Sequence, residues 1–153
     1  MPANFVAPSA QELLRFAPEM FLTVVATLMM VLEPFQRHRG RVFAVIAFAA
    51  ILGAIGFTAA AAADPGPAFS GMLIVDGFST FFRYLVLAAG LLVILVSAGY
   101  LHTEGHETAE FYALILFSIV GQSIMATANE LIMIFIGLEC SSIASYILAG
   151  RAD

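Results

Sequence analysis

Hydrophobic positions in this chain come in long unbroken runs, not in stripes or alternations. Residues 42–63, 84–103 and 111–129 contain no Asp, Glu, Lys or Arg. Each run is near or above the ~18–20 apolar residues that cross a bilayer. A shorter run, residues 20–32, lies between Glu19 and Glu33, and a last one, residues 129–150, is interrupted only by Glu130 and Glu139. The pattern predicts an all-α polytopic membrane protein with five transmembrane helices at about 17–36, 41–62, 78–100, 109–128 and 129–149. In lipid every backbone polar group must be satisfied within the segment, which favours helices for runs of this length.

Punctuation between the runs agrees. Ser9 to Glu12 reads S-x-x-E, a capping-box pattern that predicts a short surface helix through Leu13, Leu14 and Phe16. Pro18 suits a first helical turn, and Pro34 with Gln36-Arg37-His38-Arg39-Gly40-Arg41 ends the first span. Arginines before the second span and Ala61-Ala62-Ala63 after it resemble a signal peptide, but a span ahead of it makes a retained helix the better reading. Asp64-Pro65-Gly66-Pro67 is a turn-rich loop, and residues 69–77, FSGMLIVDG, form a short surface strand or turn. All the prolines fall outside the span interiors, so no broken helix of the ion-binding transporter kind is expected.

Composition narrows the function classes. The chain is 61% hydrophobic and 11% charged, against roughly a quarter charged in a soluble domain. The basic residues are all arginines, and no basic tract suggests nucleic acid. One cysteine, Cys140, rules out an intrachain disulfide or a thiolate cluster. His102 and His106 are four apart, but Gly105 between them and the want of a third ligand make the segment 102–110 a solvated acidic connector. Arg37, Arg39 and Arg41 place the first connector in the cytoplasm, with the N-terminus outside and the C-terminus inside. Arg83, one to two turns inside the third span, is read as snorkelling to the interface and paired with Asp76.

The candidate chemistry centres on Glu139. Ten residues separate it from Asn129, which puts it roughly 15 Å along a helix, near the middle of a ~30 Å hydrocarbon core. A charge there costs at least ~2.5–3.5 kcal/mol on insertion scales, so the residue needs a partner, water or a proton. Glu139, Ser142 and Tyr146 share one face, while Gly137, Ser141, Ser145 and Ala149 form a small-residue row that starts on the opposite side. On the fourth span Ser118, Gln122, Met125 and Asn129 share a stripe, which either glues helices together or lines a hydrated path; glue is preferred here. Glu139 itself is read as a protonated structural residue hydrogen-bonding across the bundle, as a group facing a water-filled cavity, or as a functional carboxylate.

Several blocks carry a resemblance. Ala17-Pro18-Glu19-Met20, Val75-Asp76-Gly77-Phe78 with Phe81-Phe82-Arg83, and Glu110-Phe111-Tyr112-Ala113-Leu114 are similar to subunit N of bacterial NADH-quinone oxidoreductase (respiratory complex I). Gly137-Leu138-Glu139, Ser141-Ser142 and Tyr146-Ile147-Leu148-Ala149-Gly150 strengthen the match. The resemblance covers nearly all of the chain but only about the N-terminal third of the family's usual length. It implies an antiporter-like membrane subunit of a proton-translocating translocase in the bacterial inner membrane, part of a larger helix bundle. Glu139 would be the proton-path glutamate, paired with a lysine on a later helix, with Ser118, Gln122, Ser142 and Tyr146 as supporting polar residues. This chain contains no lysine, so that partner would lie in further C-terminal helices of the same subunit. The resemblance also implies other membrane-arm subunits and the lipid bilayer as surroundings. No cofactor is expected in this chain: NAD, FMN, iron–sulfur clusters and quinone would sit on other subunits, and neither a glycine-rich nucleotide loop nor a cysteine cluster occurs here. The alternatives are a segment of an Mrp-type cation/proton antiporter, or a scaffolding remnant of a split or truncated gene.

Overall fold

The computed structural model describes residues 10–35, 40–63, 65–68, 73–104 and 109–151. The capping serine Ser9, the connector arginines Arg37 and Arg39, His106 and residues 69–72 lie outside the described residues, as do the side chains of Glu12 and His102.

A short helix α1 (Ala10–Arg15) leads into α2 (Ala17–Leu32), which closes with a 3-10 turn at Glu33–Phe35. Then follow α3 (Gly40–Ala62), a two-stranded antiparallel hairpin of β1 (Gly66–Ala68) and β2 (Leu73–Val75), α4 (Gly77–Glu104), α5 (Ala109–Thr127) and α6 (Leu131–Arg151). Five helices, α2 to α6, are long and apolar enough to cross a membrane. The chain is thus an all-α multi-pass membrane protein with a small hairpin at one end. Helix α4 continues through His102-Thr103-Glu104, into what the sequence suggests is connector.

Local chemistry accounts for the boundaries. Pro18 sits in the first turn of α2, where its missing N–H costs no helical bond. Asp76 caps α4: its carboxylate accepts from the Ser79 N–H at 2.8 Å, and Ser79 Oγ accepts from the Asp76 N–H at 2.8 Å. That reciprocal arrangement satisfies donors which the helix start would otherwise orphan.

Helix α5 is the centre of the bundle and packs against α2, α3, α4 and α6. Tyr112, Ala113 and Leu116 on it are fully buried, facing Leu22 and Ala26 of α2, Ala47 and Ile51 of α3, and Leu87 of α4 in one continuous core. Lipid is as apolar as these side chains, so close van der Waals packing, not hydrophobic exclusion, must hold the helices together. Small residues make that possible. A Cβ on Gly121 would lie 2.6 Å from the Ser141 backbone nitrogen, and one on Gly137 would lie 2.7 Å from the Gly121 carbonyl oxygen. Backbone cannot step aside for a side chain there, so these glycines set the α5–α6 distance.

Candidate functional site

The α5–α6 seam contains the first group of polar residues. Gln122 Nε2 donates to Ser118 Oγ at 3.2 Å, and Ser118 Oγ lies 3.5 Å from Ser141 Oγ on α6. Cys140 Sγ donates to the Phe117 carbonyl at 3.5 Å. Within the α5 stripe, Ser118 therefore meets α6 at Ser141, while the exposed Gln122 bonds back to Ser118 on its own helix. The contact row on α6 is Gly137, Ser141 and Ala144, with Ser145 and Ala149 exposed. This differs from the expected row of strict fours, because steps of four drift around a helix of 3.6 residues per turn.

The second group points the other way. Glu139 and Tyr146 are exposed on the side of α6 opposite Gly137, and Ser142, half-buried, lies towards them. Leu138, Ile143 and Ile147 flank them, also exposed, so a carboxylate stands on a nearly bare apolar face. The structure thus separates the sequence candidates: Ser118 touches the seam with Gln122 bonded to it from the exposed side, while Glu139 and Tyr146 face outward with Ser142 half-buried beside them. Any partner for Glu139 on that face must come from beyond these helices. Cys140, half-buried between the two groups, gives a direct check of depth. It is expected to react poorly with membrane-impermeant thiol reagents applied from either side of intact membranes; rapid labelling would mean that an aqueous cavity reaches the seam.

A third feature escaped the sequence. Arg83 does not snorkel, and it does not pair with Asp76, whose carboxylate is engaged in capping α4. Its Nε donates to Glu19 Oε1 at 2.9 Å and its Nη2 to Glu19 Oε2 at 2.8 Å, with both side chains sealed from solvent. Nη2 also donates to the Arg15 carbonyl at 2.7 Å. The two-point geometry matches the planar guanidinium fork to the carboxylate. The available signal was parity: α2 and α4 both begin at the same end of an up-and-down bundle, which brings an acid in the first turn of one near a base in the second turn of the other.

This end of the molecule is stitched further. Arg15 Nη2 donates to the Pro65 carbonyl at 3.3 Å, and its guanidinium lies where a Cβ on Gly66 would stand. Strand β2 pairs with β1 on one side, and Leu73 bridges to Ala128 in the α5–α6 turn on the other.

No protein-family profile matches the chain, but individual proteins do. NADH-quinone oxidoreductase subunit N 1 of Solibacter usitatus is 51% identical over 141 residues, 92% of this chain and 29% of that protein. Subunit N 2 of Koribacter versatilis is 35% identical over 155 residues, and subunit N of an Anaeromyxobacter species is 35% identical over 148 residues. Each of these two alignments takes in 95% of this chain, and they cover 31% and 29% of the relatives. By sequence along nearly all its length, and by its membrane-crossing helices, the chain is homologous to NADH-quinone oxidoreductase subunit N and spans about three-tenths of the length of those relatives.

Proposed function

We propose that this chain acts within the membrane arm of a proton-translocating NADH-quinone oxidoreductase, where Glu139 supplies a carboxylate to the proton path. The observation that carries the reading is the placement of Glu139 on the outward apolar face of α6, in a chain homologous to subunit N. A carboxylate on a membrane-crossing helix is a functional candidate because its burial in lipid is so unfavourable. Its partner is a cation on further helices of the subunit, which would cover the α6 face; the family resemblance gives that cation as a lysine. NADH, flavin, iron–sulfur and quinone chemistry belongs to other subunits, and this chain supplies packing, orientation and a titratable group. The deciding experiment is Glu139→Gln in the assembled complex, read as protons moved per NADH oxidised. Normal pumping would sink the assignment.

Orientation follows from the arginines flanking α2 and α3. Lys and Arg are retained on the cytoplasmic side of short connectors, which puts the start of α2 and the hairpin outside the cytoplasm in the bacterial inner membrane. Reporter fusions after Gly40 and after Asp153 are both expected to read cytoplasmic, and an external signal from either would reverse the topology.

A further inference from the structure

Among the described residues, the buried Glu, Arg, Ser and Thr side chains all lie near one end of the bundle. They are Glu19 in the first turn of α2, Thr58 near the end of α3, Ser79 and Arg83 at the start of α4, and Ser123 and Thr127 at the end of α5. Lipid-facing energetics would place polar groups near an interface, but these are shut away from solvent. Arg83 and Glu19 are each 1% exposed. The hydroxyls do not form a file through the bundle. Thr58 donates to its own helix at Ala54, Thr127 to its own helix at Ser123, and Ser79 is used in capping α4. The cross-helix polar bonds of this layer run through Arg83.

We infer that the Glu19–Arg83 pair is a fixed-charge barrier that closes this end of the bundle interior to protons and cations. The pair is badly suited to relaying a proton. Arginine does not release its proton in proteins, and both Glu19 oxygens are occupied by guanidinium N–H groups. It is well suited to blocking one. A buried guanidinium repels cations in a narrow passage, as it does in pores that exclude protons. The Arg15 carbonyl seats one edge of it. Arg83 Nη1, buried and without a bonding partner in the structure, is a further edge of the same charge directed into the protein. Hydrogen bonds link Arg15 to Pro65, β1 to β2 and Leu73 to Ala128 at the same end of the bundle. Stability alone gives a weak reason for such a pair, since well-packed apolar residues often replace buried ion pairs at no loss.

The inference rests on the proton-translocation reading, but its test needs no turnover and can fail separately from the Glu139 test. The complete complex is reconstituted into liposomes without NADH, and the decay of an imposed pH gradient is followed with a trapped dye. The double variant Glu19→Gln/Arg83→Gln removes both charges without stranding either, and is expected to collapse the gradient several-fold faster than the parent. Arg83→Lys, which keeps a cation but one that can give up its proton, is expected to leak at a rate between the parent and the double variant. A second readout leaves the pair intact. In a Cys140→Ser background, Ser123→Cys is expected to stay unreactive to an impermeant maleimide added from the hairpin side. An assembled double variant that holds the gradient as well as the parent overturns the barrier. Labelling of Ser123→Cys with the pair intact overturns it too, whether or not the double variant assembles.

Discussion

Glu139→Gln is expected to leave the subunit folded and assembled while proton translocation per NADH oxidised falls sharply. Assembly should survive because Glu139 stands on the far side of α6 from the Gly137–Gly121 contact and takes no part in the α5–α6 seam. Glutamine keeps the length and hydrogen-bonding capacity of the side chain and removes only its charge. A neighbouring opposite charge shifts a titrating group by about 1–3 pKa units. Losing it would weaken a partner cation's hold on its proton by ~10- to 1000-fold. Glu139→Asp retains the charge one methylene further back and should be milder. Glu110 and Glu130 sit at helix ends, and their substitution should matter less than that of Glu139. The paired measurement is quinone reduction against proton uptake in the same vesicles. A merely structural glutamate would lose both together or neither.

Arg83→Ala is expected to destabilise the subunit by about 3–5 kcal/mol, because it strands Glu19 as an uncompensated buried carboxylate. Glu19→Ala should cost a similar amount by stranding the guanidinium. The double neutral variant should lose much less than the sum, since neither charge is left alone. Denaturant or thermal unfolding of the purified protein in detergent, with all four corners of the cycle, measures the difference. Additive losses would mean that the two side chains do not act as a pair.

Much of the architecture was legible because membrane spans announce themselves. Runs free of charge over some twenty residues seldom occur outside a bilayer, and Pro18, Pro34 and the Asp64-to-Pro67 turn mark where they stop. What could not be read was which ends touch. Glu19 looked like the boundary of a short span, and Arg83 looked like a side chain reaching for water, because local patterns treat a charge near a helix end as solvated. The pair is long-range, and so is the Leu73–Ala128 bridge at the same end, for which no local signal exists either. The small-residue row on α6 held at Gly137 and Ser141 but not at Ser145 and Ala149. A strict spacing of four drifts around a helix, whereas the observed contact through Gly137, Ser141 and Ala144 takes a step of four and then of three. The split of the polar residues into a seam group and an outward group was partly legible, since Glu139 and Gly137 are separated by about half a turn.

The Glu19–Arg83 contact also bears on how the chain is made. The two residues are 64 positions apart, and synthesis at ~5–20 residues per second brings the second out about 3–13 s after the first. During that interval α2 meets the bilayer without Arg83 to receive its carboxylate. Helix α3, which carries no charge after Arg41, is complete before the partner exists. The seating of α2 is therefore a late event, settled only when the second turn of α4 has left the ribosome. Helices enter one at a time, but the first of them is locked in place by the third.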